Sequence, residues 1–388
     1  MDISIFFEPY KSFIRNEDPL NQVIGNSVLF LDKGEELDFK NTEIAIIGIL
    51  DDSAAINNSG SSFAPDEIRK YLYSLAKGSH KYKIVDLGNI KKGATKEDTY
   101  FAVSSAISEL IKNKIVVLIL GGGQDFTYAN YRAYEKIETT INIATIDPRF
   151  DLGEVDADLH SQSYLSKIIL HQPNFLFNYA NIGFQSHHAD IKSIELMDKL
   201  FFDTLRLGQL REEISWAEPL IRNADIVSFD ISAIRASDAP GNKNATPNGL
   251  FGEEACQLAR YSGMSDKVSS FGIYEVNPEM DKRGHTSHLA AQMGWYFIDG
   301  FYNRKKDTPV GAKKEHTMYR VNITEPGHEI IFYKSNKTDR WWMDVPYPPD
   351  KRLKFERHHL VPCSYKDYQQ AMKNEMPDLW WKTFQKLS

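Results

Sequence analysis

Two cysteines in 388 residues, Cys256 and Cys363, are too few and too far apart for a disulfide scaffold, and neither sits in a metal-binding or redox spacing. Both are expected to be buried or idle thiols. No stretch approaches the ~18 consecutive apolar residues of a membrane span. The start, MDISIFFEPYKSF, lacks the basic patch and apolar run of a signal peptide, so the expected location is the cytoplasm. Excess positive charge is missing as well: 46 Lys and Arg stand against 53 Asp and Glu, which argues against nucleic acid or an anionic membrane as the main partner. Internal repeats and low-complexity tracts are absent. The composition that is present, 42% hydrophobic and 26% charged, belongs to a globular chain long enough to bury a large α/β core.

After a poorly informative leader over residues 1–40, strand-like apolar runs alternate with helix-like segments, the rhythm of a mostly parallel sheet with helices on both faces. Strands are predicted at Ile44 to Leu50, Ile84 to Leu87, Ile115 to Leu120, Ile141 to Ile146, Tyr179 to Gly183, Asp225 to Phe229 and Val268 to Tyr274. Pro65 opens a helix with Ile68, Tyr71, Leu72 and Leu75 on one side, and Thr95 with Asp98 caps another. His288 to Phe301 reads as the last helix of this unit, which spans 41–302.

Residues 303–388 read as an appendage: a basic loop (Arg304, Lys305, Lys306), two strands (Met318 to Ile323, Glu329 to Tyr333), a proline-rich turn and a terminal helix. It is unusually aromatic, with Trp341, Trp342, Tyr365, Tyr368, Trp380, Trp381 and Phe384. Those rings either cover a side of the main unit or form a docking surface for a protein partner or a second copy. The pair His358 and His359 is expected to be solvated.

Polar groups gather just past the predicted strand ends, where open parallel sheets bind ligands. LGGGQD (Leu120 to Asp125) lacks the spacings of a nucleotide-phosphate loop. IDPRFD (Ile146 to Asp151) sets Asp147, Arg149 and Asp151 two apart, so in an extended segment all three point the same way. SFDIS repeats that spacing with Asp230 and Ser232, and YEVNP ends a strand on Glu275. Carboxylates, an arginine and an amide brought together form either a metal site or an ion-pair network.

The order of these blocks resembles the ureohydrolase family of arginase, agmatinase and formimidoylglutamase, from about Ile44 to Phe301. GSSFAPDEIR (Gly60 to Arg69), IGFQS (Ile182 to Ser186) and Ala239-Pro240-Gly241 are similar to further family blocks. The resemblance implies a three-layer α/β/α fold and two manganese ions bridged by a hydroxide that attacks a guanidinium or formimino carbon. It sets Gln124 against the first histidine ligand, Arg149 against the second and Ser232 against the last aspartate, while Asp147, Asp151 and Asp230 are kept. Glu275 matches the glutamate that holds the substrate's cationic group.

One ion site thus keeps oxygen donors from Gln124, Asp147, Asp151 and Asp230, and the other is given over to Arg149 and Ser232. A guanidinium does not deprotonate to become a ligand. Arg149 is therefore expected to take the second metal's place and to pair with Asp147 or Asp230. No cofactor is expected, with one Mg, Ca or Mn ion at the all-oxygen site as the alternative. The leading expectation is a scaffold or binding protein that has lost dimanganese catalysis, acting as a homo-oligomer or with a protein partner. The alternatives are a C–N hydrolase using one ion or none, with Asp230 or Glu275 as base, and a sensor of cationic metabolites. His160, His187 and His188 are the nearest other histidines; His160 is read as a surface or loop-packing residue, with a proton shuttle or surrogate ligand as the alternative.

Overall fold

The computed structural model describes residues 2–13, 22–32, 35, 38–154, 158–309, 315–324, 327–351 and 355–388. Among them β1 (Phe7–Glu8), β2 (Val28–Phe30), β3 (Ile44–Ile49), β4 (Ile84–Ile90), β5 (Val116–Leu120), β6 (Ile141–Ile146), β7 (Leu176–Phe184), β8 (Asp203–Arg206), β9 (Ile226–Asp230) and β10 (Ser270–Tyr274) form one sheet. Its order is β1-β4-β3-β5-β10-β9-β6-β7-β8, with β2 also on β4. Every pairing is parallel except that of β1 with β4.

Parallel strands need crossovers, and the helices supply them. They are α1 (Ala64–Leu72), α2 (Lys96–Lys112), α3 (Phe126–Glu135), α4 (Tyr164–Leu170), α5 (Ile191–Lys199), α6 (Leu207–Glu212), α7 (Ala217–Arg222), α8 (Gly252–Met264) and α9 (His285–Tyr302). Strand side chains alternate between two cores. Ile44, Ile46, Leu118 and Leu120 pack with α1, α8 and α9, whereas Ala45, Ile47, Val117 and Ile119 pack with α2, α3 and α4. Covered faces on both sides explain why these strands read as unbroken apolar runs. The Thr95–Asp98 capping box starts α2 as predicted. Buried Arg69 clamps α1 to β4 through Asp86 at 2.7 and 2.9 Å and the Gly88 carbonyl at 2.9 Å.

The structure departs from the sequence reading at the edges. The leader contributes β1 and β2 to the sheet, although its residues 14–21 lie outside the described set. These strands are two and three residues long, so pairing with β4 rather than local pattern defines them. β8 extends the opposite edge.

After Tyr302 a separate four-stranded antiparallel sheet follows, β11 (His316–Ile323), β12 (His328–Ser335), β13 (Trp341–Asp344) and β14 (Leu360–Cys363), with α10 (Tyr365–Met372) and α11 (Asp378–Leu387). Sequence reading found the first two strands and one helix. The rings largely fill this sheet's own core, with Trp341 and Trp380 buried in it; Trp342 is buried against Arg222 of the large unit, while Tyr365 and Trp381 are exposed.

The small sheet docks beneath the N-terminal ends of the large sheet's strands. Arg222 donates to the carbonyls of Trp341 and Cys363 at 3.1 and 3.2 Å, with its guanidinium 4.3 Å from the Trp342 ring centre. Arg357 pairs with Asp225 at 2.6 Å. His358 is buried, bonded to Thr140 Oγ1 at 2.9 Å and stacked on Phe177 at 3.9 Å, and His359 pairs with Asp344 at 3.0 Å. The expectation that both histidines are solvated is corrected: they sit inside the packing of the small sheet and its dock.

Candidate functional site

The polar blocks meet at the opposite, C-terminal end of the large sheet, where β5, β6, β9 and β10 are neighbours. Gly121 and Gly122, at φ 77° and 75°, turn the chain out of β5 in a conformation that L side chains rarely adopt. A Cβ on Gly122 would meet the Asp51 carbonyl at 2.9 Å. That turn delivers Gln124 into the interior, fully buried, where its amide nitrogen contacts Tyr164 Oη at 3.3 Å and Ser228 Oγ at 3.4 Å.

The segment after β6 is a turn rather than an extended run, which corrects the expectation that Asp147, Arg149 and Asp151 point alike. Asp147 Oδ1 accepts the Arg149 N–H at 2.7 Å, and Asp151 sits at φ 49°. Asp147 and Asp151 are buried and Arg149 is half-buried. The Arg149 charge bears on Asp147, Asp151, Asp230 and His188, yet it closes no ion pair among the described residues. Its carbonyl accepts from Asn181 Nδ2 at 2.7 Å.

Asp230, the last residue of β9, accepts the Ser232 N–H at 2.6 Å, and the Ser232 hydroxyl is buried without a hydrogen-bond partner among the described residues. Glu275 is held at φ 66°, an uncommon setting for a residue with a side chain. Its carboxylate accepts from the Gln124 N–H at 3.0 Å and from Asn58 Nδ2 at 2.7 Å. Asn58 and Asn242 also donate to its carbonyl, at 2.8 and 2.7 Å.

Burial dominates the electrostatics. It pushes Asp230 up to about 7, with the Asp147 charge adding to the effect. Asp151 is driven well above the usual carboxylate range by burial and then by Asp147. Glu275 rises for the same first reason, with Asp230 second and the Asn58 hydrogen bond opposing. Asp147 is raised by burial against the pull of its hydrogen bonds and the Arg149 charge. Each of these carboxyls is thus harder to ionise than an exposed one, and a cation entering the cluster would oppose that shift. Two buried acceptors, Gln124 Oε1 and Asp147 Oδ2, have no hydrogen-bond partner among the described residues.

The structure therefore brings Gln124, Asp147, Arg149, Asp151, Asp230, Ser232 and Glu275 to one end of the sheet. His160 lies on the neighbouring loop, its Nδ1 accepting from the Gln162 N–H at 3.1 Å. His188 is half-buried beside Arg149, and His187 is exposed. Sequence reading missed Asn58, Asn242 and Tyr164. Asn58 sits in a stretch that reads as a turn, and only its partner 217 residues away gives it a role.

Comparisons with known proteins bear on this arrangement. A profile described as the Arginase family matches residues 42–299. The formimidoylglutamase of Geobacillus sp. (strain WCH70) is 25% identical over 298 residues, covering 73% of this chain and 91% of that protein. That of Staphylococcus aureus (strain MRSA252) is 28% identical over 267 residues, covering 66% and 85%. Among solved structures, formimidoylglutamase from Bacillus subtilis aligns with a TM-score of 0.67 at 20% identity, over 76% of this chain and 97% of that one. Formiminoglutamase of Trypanosoma cruzi, solved with manganese, aligns with a TM-score of 0.64 at 20% identity, over 70% and 97%. The small antiparallel sheet lies outside the matched residues.

Proposed function

The chain belongs to the arginase family, and we propose that it is a member without the paired-manganese reaction, using the fold as a binding or scaffold protein. The donor set at the strand ends carries this reading. In support, the blocks that resemble the family's metal-binding segments carry Arg149 and Ser232 at the positions matched to an imidazole and a carboxylate ligand of the second ion. A guanidinium keeps its proton up to a pH of about 12, and it repels a cation. Among the described residues no group of three or more His, Cys, Asp or Glu is arranged to hold a metal ion. The residues present do not fit two manganese ions, and no hydrolytic step is routed through such a pair.

A second reading, a binder of cationic metabolites, is favoured by the two orphaned acceptors. Gln124 Oε1 and Asp147 Oδ2 suit a ligand rich in N–H donors, and a positive charge on it would favour the ionised form of the carboxyls around it. The formimidoylglutamase relatives make a formimino or amidine group the class to try first. Tyr365 and Trp381, exposed on the small sheet's helices, are the contact points we assign to a protein partner or a second copy.

The test is formamide release from N-formimino-L-glutamate, together with urea release from arginine and agmatine, after incubation with Mn²⁺. The expected result is no release above the protein-free rate. Turnover that depends on added manganese would overturn the reading.

A further inference from the structure

Away from the strand ends, a cavity of about 730 Å³ opens between α2 and α3, within the size range of small-molecule sites. Three rings line it, Tyr100 and Phe101 from α2 and Tyr128 from α3, and Arg132 of α3 and Lys136 just past its end supply two of the three lining cations, the third being Lys167 of α4. Tyr100 is fixed by its hydroxyl, which donates to Asp125 Oδ2 at 2.8 Å, and by edge contact with Phe126. Phe101 is 54% exposed, a large apolar surface left open to solvent.

The cations are positioned over these rings. Lys136 Nζ lies 4.3 Å from the Phe101 ring centre and donates to Ser105 Oγ at 2.6 Å. The Arg132 guanidinium is 5.7 Å from the Tyr128 ring centre and donates to its hydroxyl at 3.2 Å. Glu135 balances Arg132, but Lys136 has no carboxylate partner among the described residues. Burial and the Arg132 charge both pull the Lys136 ammonium below its ordinary pKa, so a negative charge placed there is stabilised. The acidic lining residues lie elsewhere: Glu97 and Asp98 are in the first turn of α2, with Asp98 occupied in the cap with Thr95, and Asp158 is on the facing loop.

We propose that this groove binds a small molecule joining a planar aromatic ring to an anionic group, the ring against Phe101 and Tyr128 and the anion at Lys136 and Arg132. Offset ring contacts provide the apolar half of recognition, and charge-assisted hydrogen bonds from the two cations provide the polar half. The site is separate from the strand-end cluster and stands whether or not that cluster is catalytic.

Isothermal titration of the full chain with adenosine 5′-monophosphate and, separately, with 4-hydroxybenzoate tests the proposal and distinguishes a phosphate from a carboxylate source. Binding of at least one probe is expected with a Kd below about 1 mM. Lys136→Glu should weaken it by about tenfold or more, Lys136→Arg should retain it, and Phe101→Ala should weaken it without shifting the thermal midpoint by more than a degree or two, since both side chains are exposed. Absence of binding by both probes, or binding unchanged in Lys136→Glu and Phe101→Ala, would overturn it.

Discussion

Among single side chains, Arg149 and Asn58 show how unevenly the strand-end cluster is written into this sequence. Arg149 was legible because a cation between two aspartates in a recognisable block is chemically conspicuous. Its geometry was not: the turn closed by Asp147 and the left-handed Asp151 depend on what packs around them, such as Phe150 against Phe184, with tilted rings whose centres are 5.0 Å apart. Asn58 gave no signal, yet its side chain makes four hydrogen bonds, donating to the Glu275 carbonyl and carboxylate and accepting from Lys243 and Asn277. Asn58→Ala leaves several of those buried groups unpaired and should cost about 3 kcal/mol of unfolding free energy, measurable by urea denaturation. An effect under about 0.5 kcal/mol would mean that water replaces the amide without loss. The constructive counterpart is Gln124→His, Arg149→His and Ser232→Asp combined. That variant should acquire manganese binding detectable by electron paramagnetic resonance, and failure of the folded variant to do so would undo the correspondence of positions.

For secondary-structure elements, legibility followed burial. β3, β5, β6, β9 and β10 are covered on both faces and announced themselves as apolar runs, whereas β1, β2, β8, β13 and β14 span two to four residues and are defined by pairing. The dock of the small sheet was equally invisible, since it is built from Arg222, Asp225, Thr140, Arg357 and His358, each unremarkable locally. It carries a pH dependence. Burial, with the nearby Lys267, Arg357 and Lys386 charges, holds the His358 pKa well below its ordinary value of 6.5. The folded protein therefore keeps this imidazole neutral while the unfolded chain protonates it below pH ~6.5. The contribution is complete above that pH and is lost as the pH falls toward the folded pKa. Asp230, raised to about 7, acts in the opposite sense, because its fold favours the protonated form and stability falls as pH rises. The difference between the native chain and His358→Gln isolates the histidine. Urea midpoints should show the native chain losing stability relative to the variant between pH ~6.5 and 5, and parallel profiles would contradict the assignment.

For the molecule as a whole, the two ends of the large sheet are divided between tasks. The C-terminal strand ends gather the acidic cluster, and the N-terminal ends carry the small aromatic sheet, so the addition leaves the cluster uncovered from its own side. The parallel α/β architecture and the position of the cluster followed from apolar rhythm and block order, because both are encoded in runs of several residues. Among the described residues no helix is long and apolar enough to cross a membrane. The proposed exclusion of a paired-metal centre by Arg149 and Ser232 is open to direct measurement. Manganese per chain, determined by inductively coupled plasma mass spectrometry after dialysis against excess Mn²⁺ and removal of free ion, measures this directly. Fewer than one tightly held ion per chain is predicted, and two per chain would contradict the account.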